Sequence, residues 1–172
     1  MSNSSKIAKY INSPESEVYQ KSKVLYGLFE SKSYIIKEDN CLLVEGYTDV
    51  IQLHQKGIKN VVSSSGTALS SDQIMLVKRL TENITVIFDR DQAGINAALR
   101  GIDLILEHGM NVRICKLDEG EDPDSLARKH SLDYIKKFII QNSLDFINFK
   151  ASLLATEYEN EPTKKAEVIN NI

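Results

Sequence analysis

Short apolar runs alternate with helical segments up to about residue 130, and this alternation constrains the fold more than any other feature. Helices of roughly ten to fifteen residues separate the runs. Strands joined through helices in this way form right-handed crossovers, which make neighbouring strands parallel. The sequence therefore predicts an α/β fold with a mainly parallel sheet of about four strands. The four predicted strands are Leu42–Val44, Lys59–Val62, Ile84–Phe88 and Val112–Leu117.

The segments on either side of this predicted sheet have a helical pattern. Apolar residues fall at helical spacing between about residues 22 and 37, and the pattern is helical again from about Ser131 onward. We therefore expect a leader over residues 1–40, a core over residues 41–130, and a helical extension over residues 131–172 that is cut off within its last helix.

The composition is that of an ordinary globular protein. The chain is 42% apolar and 26% charged, and no apolar stretch approaches the roughly 18 residues of a membrane helix. Cys41 and Cys115 fall in predicted strands and are expected to be buried. Two cysteines and three scattered histidines cannot form a zinc ribbon or finger. We expect a cytoplasmic protein that does not contact a membrane.

Charge is unevenly distributed along the chain. Residues 1–37 contain six lysines and three glutamates, a net +3, which leaves −6 for the rest of a chain whose net charge is −3. A basic leader beside an acidic body would suit a polyanion held across a metal. The alternative is a solvated helix face, and the charges alone do not decide between the two.

Acidic residues follow two of the predicted strands directly. Glu45 follows the first strand, and Asp89 and Asp91 follow the third. In an open parallel sheet the ligand crevice lies outside the carboxyl ends of the strands, so these acids should meet there. Nearby carboxylates repel one another unless a cation joins them. The pattern therefore predicts a Mg²⁺ site suited to phosphate chemistry.

Three further acids occupy comparable positions, each with a structural alternative. Asp49 lies in the first turn of the predicted helix after Glu45, where an acid also complements the helix dipole. Asp122 and Asp124 follow the fourth strand, but Asp-Pro is also an ordinary dipeptide at the start of a helix. These acids could either extend the metal site or cap helices.

Several motifs together resemble a known family. A glutamate in a hydrophobic-Glu-Gly context with a later Asp-x-Asp, here Glu45 with Asp89 and Asp91, resembles the TOPRIM domain of primases, topoisomerases and some nucleases. The amino-acid sequence around these acids is similar to that of bacterial DnaG-type primases. Arg90 is a departure from that pattern, since many relatives have glycine there. The primase-like segments are residues 9–15, 21–28, 44–50, 89–94 and 120–124.

This resemblance implies roles for individual residues. It implies that Glu45, Asp89 and Asp91 are catalytic and form the principal metal site, and that the three further acids extend the cluster to more metals. It also implies that basic residues of the leader face nucleotide or template, and that the leader belongs to a preceding primase subdomain. The further acids are Asp49, Asp122 and Asp124, and the leader lysines are Lys9, Lys21 and Lys23.

The reaction that the resemblance implies is the synthesis of RNA primers on single-stranded DNA from NTPs. Mg²⁺ is the expected cofactor, with Mn²⁺ as an alternative, and zinc would belong to a domain outside this chain. A replicative helicase would bind through a C-terminal domain that is also outside it. We expect the piece to be a monomer and inactive by itself. The alternatives are a stand-alone TOPRIM nuclease that matures RNA and a non-enzymatic scaffold similar to recombination mediators.

Overall fold

The computed structural model describes residues 13–65, 68–88, 92–118 and 120–157. A short 3₁₀ turn over Lys21–Lys23 precedes the first helix. The helices are Leu28–Glu38 (α1), Tyr47–Lys56 (α2), Ser71–Lys78 (α3), Gln92–Glu107 (α4), Pro123–Lys129 (α5), Leu132–Gln141 (α6) and Phe146–Glu157 (α7). The strands are Cys41–Val44 (β1), Val61–Ser63 (β2), Asn83–Phe88 (β3), Asn111–Lys116 (β4) and Ser143–Asp145 (β5).

The five strands form one sheet in the order β2-β1-β3-β4-β5. The first four are parallel, which confirms the predicted α/β fold, and each lies within two residues of its predicted bounds. From β1 the chain moves outward to β2 and then returns to the other side of β1 as β3. Strands are therefore added on one side of β1 first and on its other side afterwards, which makes the gap between β1 and β3 a topological switch point. Ligands bind parallel sheets at such a point, outside the carboxyl ends of the strands.

Helices cover both faces of the sheet, because alternate residues of each strand point to opposite faces. On one face α2, α5 and α6 pack over Leu42, Val44 and Ile87. On the other, α1, α3, α4 and α7 pack over Leu43, Val86 and further apolar strand residues. The result is a three-layer arrangement whose central strands are buried on both sides.

Helix α1 begins later than the apolar spacing predicted. The predicted stripe started near residue 22, but Val24 is extended and the helix starts at Leu28. Gly27 precedes it with φ +82°, and a Cβ there would lie 2.8 Å from Cγ1 of Val50. The tight approach of this turn to α2 therefore requires glycine and sets the start of the helix.

The predicted helical extension is interrupted by a strand. Helices α6 and α7 confirm its helical character, but Ser143–Asp145 between them pairs antiparallel with β4. The prediction of an all-helical segment was wrong at these three residues. The physical reason is that α6 packs on one face of the sheet and α7, through Phe149, on the other, so the chain crosses the sheet edge and pairs with it there.

Two cysteines and one serine are among the buried side chains of the core. Cys41 and Cys115 are buried and free, as expected, and burial raises the pKa of the Cys115 thiol to about 11. Ser31 of α1 is also buried, and its hydroxyl donates to the Val61 carbonyl oxygen at 2.7 Å and lies 3.1 Å from Nε2 of His54. No helix among the described residues is long and apolar enough to cross a membrane.

Candidate active site at the carboxyl edge of the sheet

Glu45 lies at the carboxyl end of β1 with an exposed side chain. The ladder between β1 and β3 pairs Leu43 with Val86. Extending that register by two residues brings Glu45 level with Phe88, the residue before Asp89 in the sequence. The predicted catalytic residues Asp89 and Asp91 lie outside the described residues, so their placement stays a prediction.

Ser63 at the end of β2 fixes the backbone of Glu45. Its buried hydroxyl donates to the Glu45 carbonyl oxygen at 2.6 Å and accepts from the Ser65 amide at 2.8 Å. One side chain therefore ties the end of β2 to the end of β1 and shapes the loop beyond. Sequence reasoning missed this role, because a serine at a strand end has no local pattern that predicts it.

Asp49 lies in the first turn of α2 and bonds to the backbone just before the helix. Its side chain is only 9% exposed, and Oδ2 accepts from the Gly46 amide at 3.0 Å. Gly46 itself has φ −106°, so the turn does not need a left-handed backbone. A Cβ there would instead lie 3.1 Å from Asp49 Oδ2, so the close approach of this carboxylate explains the glycine.

Asp122 and Asp124 also have structural partners. Asp122 caps α5, because its side chain accepts from the Ser125 amide at 2.6 Å and its own amide donates to the Ser125 hydroxyl at 3.0 Å. Asp124 forms a salt bridge with Arg128 one turn later. Both follow β4 and so lie at the carboxyl edge of the sheet. Their roles as metal ligands stay predictions.

The described part of the chain contains no group of three or more His, Cys, Asp or Glu side chains that could hold a metal ion. A site with three carboxylates at this edge would therefore have to include an acid outside the described residues, and Asp89 and Asp91 are the predicted ones. The exposed carboxylate of Glu45, beside the strand that leads into Asp89-Arg90-Asp91, fits such a site, since Mg²⁺ prefers oxygen ligands.

The leader is attached to the same edge through α3. Gln73 is fully buried, and its Nε2 donates to the carbonyl oxygens of Lys21 at 2.9 Å and Val24 at 2.8 Å. Ser70 donates to the Ser22 carbonyl oxygen at 2.5 Å and caps α3 by accepting from the Gln73 amide at 3.2 Å. The Ser70 and Gln73 spacing predicts the cap, but not that both residues also hold the leader.

These contacts place part of the predicted nucleic-acid segment. Lys21 is half-buried and Lys23 is exposed, while Lys9 lies outside the described residues. Tyr26 pairs with Ser63 through two backbone hydrogen bonds of 2.9 and 3.1 Å, and its ring lies 5.8 Å from that of Tyr47. The leader therefore runs beside the ends of β1 and β2, where Glu45 also lies.

Comparison with known proteins identifies relatives over most of the chain. Residues 42–127, half of the chain, match the family model described as Toprim-like. Residues 1–32 match the N-terminal domain of the DNA primase catalytic core. A DNA primase of Staphylococcus epidermidis is 40% identical over 153 residues, which are 89% of this chain and 25% of that protein. The chain spans about a quarter of the length of the curated relatives it matches.

Solved structures give the same result. A DNA primase domain from Pseudomonas aeruginosa has a TM-score of 0.80 and 41% identity, with 87% of this chain and 47% of that chain covered. A DnaG primase catalytic domain bound to single-stranded DNA has a TM-score of 0.79 and 35% identity, with coverage of 89% and 50%. The expected TOPRIM fold and the resemblance to DnaG-type primases are thus confirmed.

Proposed function

Because this chain belongs to the Toprim-like family and its first residues match the primase catalytic core, we propose that it forms the catalytic part of a bacterial replicative primase. The reaction is metal-dependent nucleotidyl transfer that makes short RNA primers on single-stranded DNA. The observation that carries the proposal is the presence of both matches, residues 1–32 and 42–127, in one chain. A stand-alone nuclease of the TOPRIM type would not need the first of them.

The topology supports the placement of the catalytic acids. Glu45 follows β1, and Asp89 follows β3 in the sequence, on the two sides of the point where the strand order reverses. In the reaction, the 3′-hydroxyl of one nucleotide attacks the α-phosphorus of a triphosphate and pyrophosphate leaves. Bound Mg²⁺ would lower the charge on the phosphates and orient the nucleophile and the leaving group.

Individual residues then have the following proposed roles. Asp89 and Asp91 hold the metal, and Glu45 either shares it or accepts the proton of the attacking 3′-hydroxyl. Asp49, through its bond to the Gly46 amide, positions the turn after Glu45 and needs no metal to do so. Mn²⁺ could replace Mg²⁺, because both accept carboxylate ligands.

The leader supplies positive charge beside these acids. The Lys21 and Lys23 backbone runs along the carboxyl edge through the contacts with Gln73 and Ser70. Their ammonium groups would neutralise phosphates of template or nucleotide, with Lys9 in the same role. Replacing one of these lysines with alanine should reduce the slope of binding against salt by up to about one unit for each phosphate it neutralises. A similar solved structure contains single-stranded DNA, in agreement with a DNA template.

The catalytic proposal is tested in a chimera, since this chain spans about a quarter of its curated relatives. The matching segment of the Staphylococcus epidermidis primase is replaced with this chain, and primer synthesis is measured with Mg²⁺, NTPs and single-stranded DNA. The chimera should make primers, and Glu45→Gln should lower kcat by at least about a hundredfold. Glu107→Gln, which replaces an exposed acid at the carboxyl end of α4, is the matched control and should leave the rate unchanged.

Two outcomes would contradict the proposal. Full primer synthesis by the folded Glu45→Gln chimera would remove Glu45 from the catalytic site. RNA cleavage by this chain without any partner, abolished in Glu45→Gln, would favour the nuclease alternative instead.

Metal binding is tested separately, on the chain itself, by melting with Mg²⁺ and with chelator. Mg²⁺ at about ten times its dissociation constant should add roughly 1.4 kcal/mol, or about 3–6 °C in Tm, to the wild type. Asp91→Asn should lose most of this gain while its stability in chelator stays equal or rises, because one repelling charge is gone. An equal gain from Mg²⁺ in both proteins would show that Asp91 is not a ligand.

A further inference from the structure

Two cavities adjoin at the amino ends of the strands, on the opposite edge of the sheet from Glu45. Their volumes are about 260 and 330 Å³, and they share three lining residues, Asn40, Ile139 and Ile140. We call the two together the amino-edge groove. Its floor lies between the end of α6 and the strands. Thr85 and Arg113 line this floor, and the next residues on the same face of their strands, Ile87 and Cys115, are apolar and buried.

The groove has a cationic rim in an acidic protein. Among the described residues, five charged side chains line it, and four of them are cations, whereas the whole chain has a net charge of −3. None of the three lysines among them forms a salt bridge within the described residues. The ammonium of one of them, Lys59, lies 5.8 Å from the centre of the Tyr34 ring. The charged lining residues are Lys37, Glu38, Lys59, Arg113 and Lys136.

Apolar surface lies beside these charges. Ile140 is 70% exposed at the end of α6, where both cavities meet, and Ile139 beneath it is buried. An exposed isoleucine alone needs no explanation. Here it stands at the centre of a concave surface with a charged rim, which is the usual arrangement of a binding pocket with an apolar anchor.

A row of asparagines gives the groove main-chain-like hydrogen-bonding groups. An asparagine stands at the amino end of each parallel strand, and the row is linked internally: Asn60 donates to the Asn40 carbonyl oxygen at 2.9 Å, and Asn111 to Oδ1 of Asn83 at 3.0 Å. Within the described residues, Nδ2 of Asn40 and Oδ1 of Asn60 have no hydrogen-bond partner, so the groove offers both a donor and an acceptor.

We propose that the amino-edge groove binds an acidic peptide segment of a partner protein. The carboxylates of the segment face the three lysines, one large apolar side chain packs against Ile140, and the asparagine amides bond its main chain. A peptide fits better than a nucleic-acid strand. Only one aromatic ring, Tyr34, lines the groove, and it already contacts Lys59, so there is no stacking platform for bases among the described residues.

The test uses a fluorescein-labelled peptide of four aspartates followed by leucine and phenylalanine. Binding is followed by fluorescence anisotropy at about 0.15 M salt, where charges more than about 8 Å apart are largely screened. Lys136→Glu should weaken binding by about tenfold or more, because it replaces an attraction with a repulsion. Lys137→Glu makes the same charge change at the next, equally exposed position, which does not line the groove, and should change affinity less than about twofold.

The apolar part has its own matched pair. Ile140→Ser should weaken binding of the peptide, whereas Ile147→Ser, at a 62% exposed isoleucine outside the groove, should not. Replacing the leucine and phenylalanine of the peptide with serine should lower its affinity for the wild type. The same replacement should not change its affinity for the Ile140→Ser protein. In the NMR spectrum of the wild type, the side-chain amide signals of Asn40 and Asn60 should shift on addition of the peptide.

Three results would overturn the proposal. The first is no binding of the peptide to the wild type at millimolar concentration. The second is equal weakening by Lys136→Glu and Lys137→Glu, which would indicate attraction to general positive charge. The third is that a labelled oligothymidine of ten nucleotides binds more tightly than the peptide and that Lys136→Glu abolishes this binding. That result would assign the groove to nucleic acid.

Discussion

Replacement of Gln73 with leucine should detach the leader from α3. The glutamine is fully buried, and its side chain makes three hydrogen bonds: Nε2 donates to the Lys21 and Val24 carbonyl oxygens, and Oε1 accepts from the Ser70 amide at 3.1 Å. Leucine has a similar volume and fills the same space, so the change removes polar contacts with little change in packing.

The expected destabilisation follows from these hydrogen bonds. Each contributes a net of about 1 kcal/mol, so three contribute roughly 3 kcal/mol. The Val24 carbonyl group would also lose its partner, while the Lys21 carbonyl would keep the 3.4 Å bond from the Val24 amide, and the leader can relieve this cost by moving away into water. For a domain of this size, ~3 kcal/mol corresponds to a fall in Tm of roughly 6–12 °C.

The assay is urea unfolding at 25 °C, combined with hydrogen exchange at the amides of Lys23 and Tyr26. Both amides form backbone hydrogen bonds in the structure and should exchange faster in Gln73→Leu. Gln55→Leu, at an exposed helix position with no side-chain hydrogen bond among the described residues, is the control and should change stability by less than about 0.5 kcal/mol. A destabilisation below about 1 kcal/mol in Gln73→Leu with unchanged exchange would refute the reasoning.

Two further predictions concern Ser63 and His54. Ser63→Ala removes two hydrogen bonds and should lower the free energy of unfolding by about 2 kcal/mol. In the chimera it should lower kcat more than it changes KM, because the Glu45 backbone is released. Ser33→Ala, at an exposed serine, is the control and should change neither the stability nor the kinetics. Burial and a neighbouring lysine lower the pKa of His54, so the unfolded chain binds its proton more readily than the folded protein. Stability should therefore fall as the pH drops below about 6.5, and pH-dependent urea unfolding should show a shallower fall in His54→Gln; identical curves would contradict this.

Much of the fold could be predicted because its causes are local. Each parallel strand is an apolar run of a few residues, and the spacing of Ser70 and Gln73 predicts the cap of α3 that the structure contains. Asp122 followed by proline likewise predicts the start of α5. These features depend on residues within one turn of helix or one strand, so a single sequence contains all the information they require.

The candidate site could be predicted only in part. The position of Glu45 at a strand end follows from the apolar run before it, and the structure agrees. The roles of Asp49 and Asp122 as helix caps were open alternatives, since a carboxylate in a first turn can face either the helix or a ligand. The structure shows the bonds that these two carboxylates make at the starts of their helices, and their roles as metal ligands stay predictions.

The sequence by itself determined the four parallel strands, the helices between them and the position of Glu45 at the end of β1, because periodicity and capping act over a few neighbouring residues. Only the tertiary structure decided that β5 joins β4, that Gln73 holds the leader and that Ser63 holds Glu45. Gln73 lies 52 residues from Lys21 and Ser63 lies 18 from Glu45. A polar contact between such distant residues leaves no periodic trace in the sequence, because it arises only after packing has brought the segments together.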